Sequence, residues 1–380
     1  MSPSIHNLVP GRTSESRVTP TRPPGRGAAY VNGSNGTTSH DRSGAVERPG
    51  PRRALMKAAI FNNDVPWLQD GHIFDKVFAG GRRELLDEIT EMYPERISSE
   101  NFESHADRLR EVEVIFSTWD MPVLTTEQVR RMPALKAVFY AAGATAHFRT
   151  AFEENGVIVC SATPANAIPV AEFALAQVLL AGAGYWRNSR QCCDATSTHA
   201  LHNHRGHGNY NARVAILGDG SVSRRLQGML AHHDLEVVVV SSRPERRTIT
   251  LEEAFATSIA VVNVFPDCDD NAGVFDRSLF ARMMDSAVFI NVGRGRQVNE
   301  ADLVAVMKER PDLTALLDVQ WPEPPEDGSE LYTVPNIRLS GHMAGSKGNE
   351  LLRMADYMIE DFRRLEKGEP LLCRVQPDQL

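Results

Sequence analysis

The sequence lacks long apolar runs, and none approaches the roughly 20 residues that a membrane-spanning helix needs. Its first residues also lack the apolar core of a secretory signal. We therefore expect a cytoplasmic protein with no membrane partner. Positive charge is in deficit as well, since 41 Lys and Arg face 49 Asp and Glu. The net charge of −8 argues against a nucleic-acid partner, which would require many phosphate contacts.

Cysteine is scarce, and no pair of cysteines has the spacing of metal ligands. The five residues are Cys160, Cys192, Cys193, Cys268 and Cys373. An odd number without such spacing suits a reducing compartment, where cysteines serve as small core residues. We predict neither a metal site nor a catalytic thiol.

Residues 1–55 differ in composition from the rest of the chain. They carry eight Arg and three acidic residues, a charge of +5, whereas residues 56–380 carry −13. Fourteen Gly and Pro, twelve Ser and Thr, and Tyr30 as the only aromatic leave too little apolar surface to offset the entropy of ordering. This composition predicts a disordered N-terminal extension. An organelle transit peptide and translation from Met56 are the alternatives.

From Met56, short β-branched runs alternate with helical patterns, as a parallel sheet requires. In a first α/β unit we predict strands at Ala58–Asn62, Val112–Phe116, Ala137–Tyr140 and Val157–Cys160, with helices at 81–92 and 125–132. Ile168–Leu180 is apolar on nearly every side, so it predicts a buried helix at a domain junction or a subunit contact.

Residues 186–210 interrupt the pattern and contain His199, His202, His204 and His207. Their spacing matches no zinc-ligand pattern, so we predict a solvated loop instead of a metal site. A second unit follows, with strands at Arg213–Leu217, Glu236–Ser242, Ile259–Phe265, Ala287–Val292, Ala315–Val319 and Ile337–Ser340. Its helices are predicted at 222–232 and Leu303–Lys308, and a last helix at 349–366 ends at Gly368.

A glycine turn lies between the first strand and the first helix of this second unit. Such a turn lets backbone N–H groups and a helix N-terminus approach a pyrophosphate, so it predicts a dinucleotide site. The cofactor ligands that we expect from this turn are Gly218, Gly220, Ser221 and Val222. Ser223 replaces the third glycine of the usual pattern, and a plain strand–turn–helix is the alternative.

The next strand should end at the adenosine ribose, where an acidic residue would bind the 2′-hydroxyl of NAD. The sequence has Ser241, Ser242 and Arg243 there, followed by Arg246 and Arg247. Hydroxyl and guanidinium groups suit a 2′-phosphate. We therefore expect NAD(P)(H), with NADP(H) slightly favoured over NAD(H); a solvated arginine loop is the alternative.

One cationic, one acidic and one imidazole side chain follow the last three predicted strands. Arg294 lies in Asn291–Gly295, Asp318 ends a strand that leads to Glu323-Pro324, and His342 opens His342–Gly345. Together with Thr163–Ala167 and Val170–Glu172, these segments resemble the D-isomer-specific 2-hydroxyacid dehydrogenases over Met56–Leu372.

The resemblance implies two Rossmann-like or flavodoxin-like parallel-sheet domains, with a discontinuous substrate domain at 56–165 and 346–380, a dinucleotide domain at 166–345, and a homodimer. The substrate would be a small 2-keto acid or D-2-hydroxy acid. Arg294 would bind its carboxylate and polarise its carbonyl. His342 would exchange the proton, and Glu323 would orient the ring and stabilise its positive charge. Val292 and Asp318 would lie at the cofactor; a buried structural Asp is the alternative for Asp318.

A loop of small residues after the third predicted strand would complete the substrate site. In the family this loop offers backbone N–H groups to the substrate carboxylate, which points to Ala142, Gly143 and Ala144; a tight turn is the alternative. Asn62, Trp67 and Trp119 lie near strand ends of the same domain and would define the side-chain pocket, where the two indoles would favour an apolar or aromatic substituent.

Two other functions fit the same scaffold. One is a cofactor-sensing binding protein similar to the corepressors related to this family. The other is a dehydrogenase of phosphite-like anions. Glu323 argues against a formate enzyme, because formate enzymes of this superfamily usually carry an amide at that position.

Overall fold

A computed structural model describes residues 54–63, 72–201 and 206–376 of the chain. The extension predicted to be disordered lies outside these residues except for Ala54 and Leu55, and Trp67, His202 and His204 also lie outside them. The described residues form two parallel sheets, as the α/β pattern predicts.

The first sheet has five strands in the order β2-β1-β3-β4-β5, and all its pairings are parallel. Its strands are β1 (Met56–Phe61), β2 (Thr90–Met92), β3 (Val114–Ser117), β4 (Ala137–Tyr140) and β5 (Ile158–Ser161). Every residue of β3 and β4 is buried, because helices cover both faces of a parallel sheet. The helices of this part are α1 (Ile73–Val77), α2 (Arg82–Ile89), α3 (Phe102–His105), α4 (Thr126–Arg130) and α5 (Arg149–Glu153), with a 3₁₀ turn at Arg108–Glu111.

The helix predicted at 81–92 is shorter than expected, and its last residues form strand β2 instead. Thr90 adopts an extended conformation at the helix end, and Thr90–Met92 pairs with Met56–Ala58. Sequence periodicity missed this edge strand because three residues are too few to show an alternating pattern.

Helix α6 (Thr163–Gly182) connects the first sheet to the second. By length and composition alone it could cross a membrane, so the expectation that no segment is apolar enough is wrong for α6. Half of its 18-residue apolar window is buried inside the protein.

The predicted loop at 186–210 is also wrong in part. Helices α7 (Tyr185–Gln191) and α8 (Ala195–Leu201) occupy most of it, and three side chains tie the segment to the second sheet or its turns. Arg190 donates to the carbonyl of Pro311 (2.7 Å), Arg187 to the Ser286 hydroxyl (2.9 Å), and the His207 ring contacts the carbonyl of Asp285 (2.6 Å). The polar composition of this segment predicted a loop. The contacts that hold its helices are with residues far along the chain, so the local sequence does not show them.

The second sheet has six parallel strands in the order β11-β10-β9-β8-β6-β7. They are β6 (Ala212–Leu217), β7 (Leu235–Val240), β8 (Ala260–Asn263), β9 (Val288–Asn291), β10 (Thr314–Leu317) and β11 (Ile337–Leu339). The chain runs from β6 outward to β7 and returns to β8 on the other side of β6. This reversal of strand order creates the crevice in which open α/β sheets bind ligands.

Helices α9 (Ser221–Leu230), α10 (Leu251–Thr257), α11 (Arg277–Phe280) and α12 (Glu300–Glu309) cover this sheet, and short 3₁₀ turns lie at Pro244–Arg246, Asp269–Asn271, Gly295–Gln297 and Glu330–Tyr332. The sequence pattern did not predict α10 and α11, which are short.

The last helix, α13 (Glu350–Lys367), returns to the first sheet. Its apolar stripe, including Met358 and Phe362, packs in the same cluster as Phe116 and Phe139 of the sheet. Gly368 ends the helix in the left-handed conformation, as its position predicts. The C-terminal helix therefore forms part of the hydrophobic core of the first sheet.

Candidate functional site

The predicted catalytic residues follow three neighbouring strands of the second sheet. Arg294 follows β9, Glu323 lies in the loop after β10, and His342 follows β11. Because β9, β10 and β11 are parallel neighbours, their carboxyl ends lie at the same edge of the sheet. Adjacent strands lie only about 4.8 Å apart, so the fold gathers these side chains from distant parts of the sequence.

Three buried amide side chains fix the turn that carries Arg294. Asn263 donates to Asn291 Oδ1 (2.8 Å) and to Gln297 Oε1 (2.7 Å). Asn291 in turn donates to the carbonyl of Arg294 (3.2 Å), and the N–H of Arg294 donates to Gln297 Oε1 (3.1 Å). Such a satisfied network in a buried setting holds one backbone conformation.

Two glycines beside Arg294 are required by close packing. A Cβ at Gly293 would lie 2.7 Å from Asn263 Nδ2, and a Cβ at Gly295 would lie 2.0 Å from the backbone of Gln320. The Gly-Arg-Gly sequence therefore brings the loop after β10 against the turn after β9.

The Arg294 side chain is 41% exposed and lies beside a carboxylate. Its Nη1 donates to the carbonyl of Gly293 (2.8 Å), and its Nε lies 3.7 Å from Asp267 Oδ2. Asp267 also accepts from Arg296 Nε (2.5 Å). A substrate carboxylate reaching Arg294 would therefore share it with Asp267.

Asp318 organises the loop that carries His342. Its buried carboxylate accepts from the Ser340 hydroxyl (2.6 Å) and from the N–H groups of Met343 (2.8 Å) and Ala344 (3.0 Å). Its carbonyl accepts from the N–H of His342 (2.7 Å). These bonds hold His342 at φ +54°, a left-handed conformation that non-glycine residues rarely adopt.

The predicted pair of Glu323 and His342 is formed. Glu323 Oε1 lies 2.7 Å from His342 Nδ1, which leaves Nε2 as the ring atom opposite the carboxylate. The two side chains are 36% and 52% exposed, so a small molecule can reach the ring. The geometry suits proton exchange at Nε2 with Nδ1 held by the carboxylate.

The glycine turn follows β6 and leads into α9. Gly218 adopts φ +124°, and a Cβ there would lie 2.8 Å from the carbonyl of Val264. Gly220 precedes α9, and the space at its Cβ position is open. No side chain caps the first N–H groups of α9 in the part of the chain that the structure describes, so the turn fits an anion such as a pyrophosphate.

The substituted third glycine does not prevent this arrangement. Ser223 is fully buried, and its hydroxyl accepts from Gln227 Nε2 (3.0 Å). Leu226 and Leu230 of the same helix remain in the core.

At the end of β7, Ser241 is buried while Ser242 and Arg243 are half-buried. Arg247 is used structurally, because its guanidinium donates to the carbonyls of Ser241 (3.0 Å) and Ser242 (3.4 Å). Val292, also predicted at the cofactor, is half-buried and donates to the carbonyl of Asn263 (3.2 Å).

The small-residue loop after β4 has its carbonyl groups fixed by hydroxyl side chains. Ser161 donates to the carbonyls of Ala142 (3.0 Å) and Gly143 (2.6 Å), and Thr163 donates to that of Gly143 (3.1 Å). Within the described residues, no protein acceptor binds the N–H groups of Gly143 and Ala144. The loop can therefore offer these N–H groups to a carboxylate.

Asn166 connects this loop to the loop of His342. Its Oδ1 accepts from the N–H of Ser346 (2.8 Å), and its Nδ2 lies 3.7 Å from the position that a Cβ of Gly143 would occupy. The small-residue loop and the His342 loop thus meet at the Asn166 side chain.

Trp119 is half-buried at the end of β3, and its carbonyl accepts from Asn62 Nδ2 (2.6 Å).

The sequence analysis missed the residues that hold or contact the predicted catalytic side chains and their loops. Asn263, Gln297 and Asp267 were not singled out, since an amide or acid after a strand has no distinctive spacing. Asn166 was noted only as part of a motif and Asp318 only as a residue near the cofactor, and their bonds to the His342 loop depend on tertiary structure.

Comparison with known proteins matches part of the chain to a described family. Residues 179–344 match the family model described as D-isomer specific 2-hydroxyacid dehydrogenase, NAD binding domain. Glyoxylate/hydroxypyruvate reductase A of Klebsiella pneumoniae is 31% identical over 115 residues, which is 30% of this chain and 36% of that protein. The same-named protein of Photorhabdus laumondii is 27% identical over 164 residues, 41% of this chain and 52% of that protein. The chain spans about two fifths of the first curated relative that it matches.

Solved structures with the same fold cover most of the chain. D-mandelate dehydrogenase of Rhodotorula graminis superposes with a TM-score of 0.66 at 17% identity, over 84% of this chain and 97% of that one. A phosphoglycerate oxidoreductase of Rhizobium etli gives 0.67 at 20% identity, over 86% and 99%. At these identities the likeness shows the fold. The predicted resemblance is confirmed.

Proposed function

We propose that the chain, whose residues 179–344 match the D-isomer specific 2-hydroxyacid dehydrogenase family, is an NAD(P)-dependent oxidoreductase of a small 2-keto acid or D-2-hydroxy acid. One observation carries this proposal. A carboxylate-held imidazole, Glu323–His342 at 2.7 Å, stands at the same sheet edge as Arg294. A cation for the substrate carboxylate and an acid for its carbonyl oxygen are what reduction of a 2-keto acid needs.

Arg294 binds the substrate carboxylate and polarises the adjacent carbonyl. Its planar fork can make two parallel hydrogen bonds, and its charge is permanent. The amide network of Asn263, Asn291 and Gln297 fixes the backbone from which the side chain projects. The N–H groups of Gly143 and Ala144, which find no acceptor among the described residues, bind the same carboxylate from the first sheet.

His342 exchanges the proton of the reaction at Nε2. In reduction the protonated ring donates to the carbonyl oxygen of the substrate, and in oxidation the neutral ring accepts from the hydroxyl. Glu323 orients the ring through Nδ1 and stabilises the cationic form. Trp119 contributes to the pocket that receives the substituent of the substrate.

The cofactor would be NAD(P)(H), which Gly218, Gly220, Ser221 and Val222 would hold at the pyrophosphate and Ser242 and Arg243 at the adenosine ribose. When bound, its nicotinamide supplies or accepts the hydride. Val292 and Asp318 would lie near its nicotinamide. Hydroxyl and guanidinium groups after β7 favour NADP(H).

We assign residues 56–165 and 346–380 to a substrate domain and residues 166–345 to a dinucleotide domain. The packing of α13 on the first sheet supports this division. We further propose a cytoplasmic homodimer, with the exposed half of α6 and the neighbouring Tyr185 available for the contact between subunits.

The test is a panel of glyoxylate, hydroxypyruvate, phenylpyruvate and branched 2-keto acids, run with NADH and NADPH and followed by the absorbance of the reduced cofactor. We expect turnover of at least one substrate and its loss in Arg294→Ala and His342→Ala. Arg277→Ala, which removes an exposed arginine paired with Glu309, is the matched control and should retain activity. Full activity in the Arg294 and His342 variants would refute the mechanism, and no turnover by the wild type would refute the function.

A further inference from the structure

The end of β7 holds a serine where an acidic ribose ligand would usually stand. Ser241 is 6% exposed, and its hydroxyl accepts from the N–H of Arg243 (3.2 Å). A serine hydroxyl can also donate one hydrogen bond. The acceptor of the Ser241 hydroxyl proton therefore determines which charge lies next to the end of β7, where the adenosine ribose is expected.

The partner is a carboxylate from the glycine turn. Ser241 Oγ lies 3.3 Å from Asp219 Oδ2, although the two residues are 22 positions apart. The contact follows from the sheet, because β6 and β7 are paired in parallel with Leu217 opposite Val240. The residues just after these strands therefore lie side by side. Asp219, which follows β6, thus places a carboxylate beside the end of β7, where the sequence has Ser241 and no acidic residue.

The backbone of Asp219 is also held. Arg224 Nη1 donates to its carbonyl (2.9 Å), which ties the glycine turn to the first turn of α9. This bond involves the backbone carbonyl and does not engage the Asp219 carboxylate. Asp219 is exposed to solvent.

A carboxylate at this place distinguishes the two cofactors by elementary electrostatics. It can accept hydrogen bonds from the ribose hydroxyls of NAD(H), whereas it repels the 2′-phosphate of NADP(H). The arginines that follow β7 act in the opposite direction, but Arg247 is engaged with backbone carbonyls.

We propose that Asp219 is the residue that selects between the cofactors, supplying from the glycine turn the acidic ribose ligand that β7 does not carry. The inference rests on the proposed function, since it requires that the chain bind a nicotinamide dinucleotide. Asp219 limits the preference for NADP(H) that the serines and arginines after β7 would otherwise produce.

The experiment measures binding without turnover. The full chain is titrated with NADH and with NADPH, followed by the fluorescence of the reduced nicotinamide, and with 5′-AMP and 2′,5′-ADP by calorimetry. Wild type is compared with Asp219→Asn. Asp234→Asn is the matched control, because Asp234 is an exposed acid at the opposite end of β7.

We expect Asp219→Asn to raise the ratio of NADPH to NADH affinity about tenfold, and to raise the ratio of 2′,5′-ADP to 5′-AMP affinity similarly, while Asp234→Asn changes neither ratio. An equal gain for both cofactors would overturn the inference, because Asp219 would then act on the shared pyrophosphate. Unchanged ratios, or the same effect in Asp234→Asn, would also overturn it. Failure of the wild type to bind either cofactor would refute the proposed function and this inference together.

Discussion

Replacing Glu323 by Gln tests how much of the activity depends on the pair that it forms with His342. Gln keeps the size of the side chain and removes its charge. A hydrogen bond to a charged group contributes roughly 1.5–3 kcal/mol, but these side chains are 36% and 52% exposed, so solvent screens part of it. We expect a loss of about 1–2 kcal/mol in transition-state stabilisation, which is a decrease of about 5- to 30-fold in kcat.

The assay is steady-state turnover of the best substrate of the panel in both directions. Glu326→Gln is the control, because Glu326 is an exposed acid in the same loop. It should keep wild-type kcat. Thermal unfolding of both variants should match wild type, since neither side chain is buried.

A double-mutant cycle makes the prediction sharper. His342→Ala should lower kcat by about 10²- to 10⁴-fold, and adding Glu323→Gln to it should lower kcat no further, because Glu323 acts through the ring. Independent, multiplying effects would refute the proposed role of Glu323, as would a Glu323→Gln variant with unchanged kcat.

Three further changes test the scaffold and its thiols. Gly295→Ala should destabilise the protein by about 2–3 kcal/mol and reduce activity, because the new Cβ would lie 2.0 Å from Gln320; urea unfolding and kcat measure this. Asp361→Ala should cost about 2–4 kcal/mol and speed amide exchange near Cys373, since the fully buried carboxylate accepts from the N–H of Cys373 (2.8 Å) and of the preceding residue. Burial raises the pKa of Cys373 to about 12 and also raises the pKa of Cys160. From neutral pH up to about pH 9, a thiol reagent should therefore label the exposed cysteines but not Cys160 and Cys373.

Each of these changes has a control in the same chain. Gly228→Ala in α9, where the Cβ position is open, should not destabilise the protein. Glu360→Ala removes an exposed acid next to Asp361 and should leave exchange near the C-terminus unchanged. In denaturant all five cysteines should label. Rapid labelling of Cys160 in the native protein would contradict the burial of the pair.

Most of the fold was predictable because apolar runs in buried parallel strands are continuous and distinct. The prediction for β4 matches at both ends, and β6, β9 and β11 differ by one residue at one or both ends. Short elements were missed where the pattern had too few residues to repeat, as in β2, α10 and α11. The segment 186–210 was misjudged because its helices are polar and fixed by distant partners such as Pro311.

By itself the sequence determined the α/β class, the glycine turn, and the order of Arg294, Glu323 and His342 after strands, because these are properties of residue type and spacing. Only the tertiary structure decided which side chains support them. Asp318 and Asn166 hold the His342 loop, Asp267 lies at Arg294, and Asp219 meets Ser241. These pairs join residues that are 22 to 180 positions apart, and the parallel strands and α6 bring them together. Pairing between strands leaves no mark in the local sequence, so the contact between Asp219 and Ser241 could be found only in the folded sheet.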